Sequence, residues 1–240
     1  MSIRGVGDPV DVPAAFDAAA DTYDKLVDTN PGYHSHLRLS AQRMMLPDNG
    51  RGLRLLDAGC GTGASTAALV RVAPQAEIVA VDGSAGMLAQ ARAKRWPPSV
   101  RFVHSRIEAL ADADVEGPFD GIFAAYLLRN LGDLDAQLQA FLALLRPGGI
   151  LAAHEYSVRD SRLATVVWNV VCATIIIPSG RIRNGDASLY TYLRRSVNRF
   201  DGAHQLRNRL RANGFVDVSS HTMPGWQRDI VHTFLAKAPT

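Results

Sequence analysis

Between Arg54 and Ser65 the chain reads RLLDAGCGTGAS, an apolar run that ends in an acid and gives way to glycines at alternate positions, Gly59, Gly61 and Gly63. Glycine costs chain entropy, and its usual return is a backbone that turns sharply or lies flat against another group. A strand feeding such a loop, which in turn feeds a helix, belongs in a sheet whose ligands bind beyond the carboxyl ends of the strands.

The remainder of the chain supplies that sheet. Strand candidates at 53–58, 77–82, 100–105, 119–125 and 149–155 alternate with helix-like stretches at 64–73, 84–95 and 133–146, the last closed by RPGG. This rhythm predicts an α/β fold with a mainly parallel, doubly wound sheet covered on both faces. Two further strands, 215–223 and 229–237, flank Pro224-Gly225 and predict an antiparallel hairpin. Ahead of the first strand, Phe16, Ala20, Tyr23 and Leu26 recur at helical spacing, and a second helix follows the Asn30-Pro31-Gly32 turn.

Composition bounds what this fold can do. At 240 residues, with 47% hydrophobic and 20% charged, the chain is an ordinary globular one, large enough for one core with appendages. The two cysteines, Cys60 and Cys172, form neither a disulfide framework nor a CxxC site, which fits a reducing cytoplasm. MSIRGVGDPVDVP has no apolar core and does not read as a signal peptide. The longest apolar run, Ala164 to Pro178, contains Asn169 and falls short of the roughly 20 residues of a spanning helix. Charge is uneven: residues 1–150 carry a net −3 and residues 151–240 a net +6. A basic third of this kind is a solvated face or a surface for anions. Neither zinc-finger spacing nor Arg/Lys-aromatic interleaving supports nucleic acid.

Glycine spacing alone leaves the ligand open. Gly59-x-Gly61-x-x-Ala64 also matches a dinucleotide loop, and Asp82 could hold a ribose in either system. Asp57 and Gly63 complete a D-x-G-x-G-x-G pattern instead. With VAVDGSAGML and LLRPGGIL, this stretch resembles the successive motifs of the class I S-adenosylmethionine-dependent methyltransferases. The resemblance implies a Rossmann-like seven-stranded sheet in the order 3-2-1-4-5-7-6. Within that superfamily, AAYLLRNLGD (124–133), HEYS (154–157) and YTYLRRSVNRF (190–200) are similar to segments of the ubiquinone and menaquinone C-methyltransferases. A single domain over 1–240 is then expected, with a helical lid at 14–47 and a cap at 158–200 after strand 5.

Carried over position by position, the resemblance implies S-adenosylmethionine as cofactor. Gly59, Gly61 and Gly63 would admit its methionine and ribose, and Asp57 would orient the loop or reach its amino group. Asp82 would accept from the ribose hydroxyls, Met87 would pack on adenine, and Tyr23 and Ala124 would complete the cofactor set. Arg106-Ile107 stands where the family has Asp or Asn followed by Ala, and an arginine cannot accept from the adenine amino group. Tyr126 likewise replaces a common Phe. The sulfonium is a strong electrophile, so catalysis is chiefly positioning and proton removal. Arg129 is placed to stabilise a developing phenolate, with Tyr126 and His154 as the other catalytic candidates, and Tyr23, His34 and Glu155 as further groups able to orient or take a proton. No metal is expected, because His34 and His36 diverge on a helix and zinc spacings are missing.

The expected activity is C-methylation of a quinol or related phenolic ring. An O- or N-methyltransferase of another aromatic metabolite is the alternative. From other classes, a nicotinamide-dependent oxidoreductase and a cofactor-binding protein without transferase activity stay open. The run at 164–178 reads either as a buried cap helix or as an apolar wall that meets an isoprenoid tail or a membrane, with Arg159, Arg162, Arg181 and Arg183 beside it. Expected partners are therefore a small aromatic or quinol substrate, an anionic membrane at its cytoplasmic face, and a second copy in a homodimer, with no nucleic acid.

Overall fold

In a computed structural model, the described residues are 30–184 and 188–240, together with helical Ala14, Asp17, Ala20, Tyr23, Asp24 and Val27; for 180, 182–184, 188 and 189 only the backbone is described. Phe16, Leu26 and the Arg183 side chain, singled out above, lie outside this set.

The strands are β1 (Arg54–Ala58), β2 (Glu77–Asp82), β3 (Val100–His104), β4 (Phe119–Ala125), β5 (Leu145–Tyr156), β6 (Val216–Thr222) and β7 (Val231–Lys237). They form one sheet in the order β3-β2-β1-β4-β5-β7-β6, parallel except for β7, which runs antiparallel to both β5 and β6. This is the order the motifs implied. Strand β5 begins earlier than expected because Leu145 already pairs with Phe119 before the RPGG turn. Residues 55–58 of β1 are all fully buried, as a central strand covered on both faces must be.

Helices α1 (Tyr33–Arg43), α2 (Ala64–Val72), α3 (Ala85–Arg92), α4 (Leu134–Leu144), α5 (Arg162–Val171), α6 (Ile177–Asn184), α7 (Ser188–Arg199) and α8 (Ala203–Ala212) follow the same chain order. Side-chain oxygens of Ser84, Asp133 and Ser161 accept from the first-turn amides of Met87, Ala136 and Ala164, which explains where α3, α4 and α5 start. One core face gathers Leu56, Val79, Ile122, Phe141 and Phe234, and the other gathers Leu37, Leu55, Leu69, Ile78 and Phe123.

The run at 164–178 departs from a buried helix. Helix α5 continues through a π-helical turn, Cys172–Ile176, into α6. Pro178 lies just beyond and has no N–H for the next helical bond. Ala164, Trp168 and Cys172 face inward and pack with Tyr156, Val197 and Ile230. Leu163 (73% exposed), Val166 (59%), Val170 (53%) and Ile175 (59%) face outward. Only 17% of Arg162–Ser179 is buried, and by length and composition alone this stretch is apolar enough to cross a membrane, contrary to the expectation that the run is too short.

Candidate active site

The strand order reverses beside β1, between its neighbours β2 and β4, and there the glycine loop leaves the sheet. The amides of Gly59 and Cys60 both donate to the Val81 carbonyl (2.8 and 2.9 Å), which ties the loop to β2. The glycines then serve different ends. Gly61 has φ +54°, and a Cβ built there meets nothing within 4 Å, so the loop is open above it. Gly63 has φ +92° at the start of α2, and a Cβ would lie 2.6 Å from Trp96 Cζ2. Gly61 is thus open to a ligand, whereas Gly63 is required by packing.

Above the loop lies a cavity of about 670 Å³, whose wall includes Gly59, Gly61, Asp82, Met87, Arg106 and Ile107. Asp82 ends β2 with Oδ2 accepting from the Gly61 amide (2.7 Å) and Oδ1 from the Ser84 amide (2.8 Å). Burial pushes its carboxyl above the usual range, and those two amides pull it back. A carboxylate has about four acceptor sites, so Asp82 keeps capacity for vicinal hydroxyls. An open glycine cradle beside a fixed carboxylate fits the ribose and amino-acid ends of S-adenosylmethionine.

Asp57 is fully buried beneath the cavity and does not reach its wall. Its Oδ2 accepts from Ser65 Oγ (2.8 Å) and Thr66 Oγ1 (2.6 Å) in the first turn of α2. Burial pushes its carboxyl up to about 7 against these two hydrogen bonds. Of the two roles expected for Asp57, the geometry fits orienting the loop.

Two more carboxylates latch the leading helical residues across the cavity. Asp17 Oδ1 accepts from Ser84 Oγ (2.5 Å) and the Gly86 amide (2.8 Å), and Asp24 accepts from Thr62 Oγ1 (2.5 Å) and pairs with Lys94 (2.6 Å). Tyr23, which stands between them in sequence, lines the cavity.

A second, largely apolar cavity of about 470 Å³ runs beside α5 and its π-helical turn, past Val27, Val167, Val171, Ile176 and Trp226. The two cavities share Tyr23, Tyr33, Tyr126, Arg129 and Tyr192. Arg129 is the charged group at this junction. Its Nη1 donates to Glu155 Oε1 (2.6 Å) and to the Tyr126 carbonyl (2.7 Å), and the pair is almost fully buried, at 6% and 0% side-chain exposure. Its guanidinium carbon lies 5.6 and 5.5 Å from the ring centres of Tyr126 and Tyr156. Arg129 Nε is buried without a partner among the described residues. Burial pushes the Glu155 carboxyl up, and the Arg129 charge opposes it.

Tyr126 follows β4 at φ +56°, a conformation that costs a non-glycine residue free energy and marks a position held by its surroundings. Its ring stacks on Tyr33 at 5.8 Å between centres, and its hydroxyl lies 2.9 Å from His154 Nε2. His154 is fully buried behind Tyr126, off both cavity walls, and burial drives its pKa down to about 3. Ala124 also misses the wall, because strand alternation turns it into the core and gives the lining position to Ala125. His34 sits edge-on to Tyr33 at 5.3 Å between ring centres, on the exposed side of α1. Sequence reasoning did not single out Tyr33 or Tyr192. Tyr192, whose hydroxyl donates to Asn130 Oδ1 (3.1 Å), lay within a segment already noted. Among the described residues, no group of three or more His, Cys, Asp or Glu is assembled as a metal site.

Strand order and loop together define a class I, Rossmann-like methyltransferase. Solved structures of the same fold include the [4+2]-cyclase SpnF (TM-score 0.69, 18% identity, 99% of this chain and 98% of that one). The carbon methyltransferase of CurJ (0.67, 21%, 98% and 62%) is another. A third is Haemonchus contortus phosphoethanolamine N-methyltransferase 2, solved with S-adenosylhomocysteine (0.66, 16%, 99% and 61%). Residues 6–228 match the ubiE/COQ5 methyltransferase family, and the chain belongs to it. It is 30% identical to the demethylmenaquinone methyltransferase of Clavibacter sepedonicus, over 90% of this chain and 86% of that protein. It is also 30% identical to the ubiquinone/menaquinone biosynthesis C-methyltransferase UbiE of Stutzerimonas stutzeri, over 89% and 84%. The protein is an S-adenosylmethionine-dependent methyltransferase.

Proposed function

We propose that this enzyme methylates a ring carbon of a quinol, or of a closely related phenol, that carries an apolar tail. The observation that carries this reading is the meeting, at Arg129 and Tyr126, of the cavity over the glycine loop and a largely apolar cavity beside α5. The names of the relatives above point to the same acceptor class.

S-adenosylmethionine supplies the methyl group as a sulfonium electrophile. Asp82 would hold the ribose hydroxyls, the open face of Gly61 would take the amino-acid end, and Met87 and Ile107 would bound the adenine. The acceptor ring lies among Tyr23, Tyr33 and Tyr126 with its tail in the cavity beside α5. Loss of the phenolic proton to water makes the ring carbon nucleophilic, Arg129 offsets the negative charge on the ring oxygen, and the proton on the newly methylated carbon then leaves to water, restoring the aromatic ring. Because guanidinium does not give up its proton, Arg129 does not act as the base. Glu155 keeps the guanidinium in place through its contact with Nη1.

Purified protein with labelled methyl donor, offered quinols and phenols with and without tails, tests the assignment, the position of the methyl being read by mass spectrometry. A C-methylated tailed quinol is expected; methyl on oxygen or nitrogen would replace this reading with the alternative.

The outward side chains of α5 and the π-helical turn after it also favour contact with an anionic membrane at its cytoplasmic face. Leu163, Val166, Val170 and Ile175 form an apolar stripe with Arg159, Arg162 and Arg181 close by in sequence, in the region of net charge +6. Each cation near anionic headgroups contributes about 1 kcal/mol. Flotation with anionic vesicles that weakens with salt is expected. Failure to float together with dimeric sedimentation would assign the stripe to a second copy of the chain.

A further inference from the structure

Behind Tyr126 runs a file of buried polar groups that the reading above does not use. His154 Nδ1 is 2.7 Å from Ser40 Oγ, and Ser40 Oγ is 2.7 Å from Thr233 Oγ1. Arg43 Nη1 donates to Thr233 Oγ1 at 2.7 Å. Ser40, His154 and Thr233 are fully buried and come from α1, β5 and β7. Nothing in an apolar core calls for three such groups in a row, and leaving any of their protons unpaired would be costly.

Counting protons gives the file a direction. Arg43 can only donate, so Thr233 accepts from it. Among the described residues the Thr233 hydroxyl has only one other partner, Ser40, and its single proton goes there. Ser40, accepting from Thr233, sends its own proton to His154 Nδ1. With Nδ1 an acceptor, the neutral imidazole carries its proton on Nε2 and donates it to the Tyr126 oxygen. The opposite direction would strand the Thr233 proton in the core. The Tyr126 hydroxyl, with its oxygen already taken by His154, has its own proton left over, on a residue that lines both cavities.

We infer that Tyr126 is a dedicated hydrogen-bond donor to the acceptor's ring oxygen, held in that role by His154, Ser40 and Thr233 as positioning residues anchored on Arg43. This deepens the proposed function and rests on it for the nature of the acceptor. A phenolate oxygen offers only lone pairs, so a site whose hydroxyl can only donate favours it over the neutral phenol. Tyr126 and His154 thereby do not take the proton, and the two catalytic roles open to them from sequence are reduced to donation and positioning.

Nitrogen-15 spectra of histidine-labelled protein without ligand read the direction, with His154 assigned by its loss in His154→Gln. The Nε2–H tautomer is expected, and in Ser40→Ala, where Nδ1 loses its donor, a mixture. Tyr126→Phe should lower kcat/KM for a phenolic acceptor by about 10- to 100-fold while S-adenosylhomocysteine affinity stays within about twofold. His154→Gln, whose amide can still donate, should keep more of that activity than His154→Leu. An Nδ1–H tautomer, or full kcat/KM in Tyr126→Phe, would overturn the inference. If the wild-type protein methylates no phenol at all, the acceptor assignment fails, while the tautomer still decides the direction of the file.

Discussion

Glu155→Gln probes the junction most directly, because it removes one charge while keeping nearly the same shape. Glu155 is fully buried and serves three donors: Arg129 Nη1 at 2.6 Å, the Tyr156 amide at 2.9 Å and the Arg129 amide at 3.4 Å. Glutamine can offer one oxygen to the first two. Its amide group must then face the third donor, and Arg129 keeps a charge with no counterion. Breaking a buried pair from one side costs about 3–5 kcal/mol, and the retained hydrogen bonds place this variant near about 3 kcal/mol. With an m-value of about 3 kcal/mol/M, the urea midpoint should fall by about 1 M. Arg129→Met combined with Glu155→Leu removes both charges and should recover most of the loss, since an apolar pair of similar volume is often neutral. A single-variant midpoint within about 0.3 M of wild type, or a double variant no more stable than the single, would refute the claim that the two charges are held against each other.

Asp82→Ala should weaken S-adenosylmethionine and S-adenosylhomocysteine alike by about 10- to 100-fold, the scale of hydrogen bonds to a charged acceptor, in a titration calorimeter. Gly63→Ala combines a φ of +92° with the Trp96 collision and should cost about 2–4 kcal/mol of stability, whereas Gly61→Ala should lose cofactor affinity with a smaller change in melting temperature. His154, at about 3 in the fold, stays neutral where the unfolded chain would protonate it, so its contribution is present above pH 6.5 and lost as pH falls. That amounts to about 1.5–2 kcal/mol between pH 6.5 and 5. Asp57, raised to about 7, changes stability the opposite way over that interval, so the difference between wild type and His154→Gln is the quantity to follow by thermal melts.

What the sequence disclosed and what it withheld divide along physical lines. Continuous burial writes itself into a strand such as EIVAVD, and an alternate-glycine loop has few other uses, so the sheet, the loop and Asp82 were legible. The Arg129–Glu155 pair was not, because its members stand 26 positions apart and meet only through adjacent strands. Trp96 gave no sign that it fills the space over Gly63. Helix α5 is apolar around most of its circumference, so periodicity could not say which face would be covered. Asp57 carried the family pattern yet serves the α2 turn from below, a distinction between supporting a loop and touching its ligand that residue type alone cannot draw.

The place of β7 has a consequence for the order in which the molecule can assemble. It follows every other strand along the chain, yet in the sheet it lies between β5 and β6. Until it arrives, β5 presents an open edge and β6 has nothing to join. The same strand brings Thr233, 193 positions from Ser40 and on the far side of nearly the whole sequence. Pairings this distant close slowly. A chain emerging from synthesis can therefore complete its glycine loop and the first strands around β1 well before the groups behind Tyr126 come together, so cofactor affinity should appear earlier during refolding than turnover.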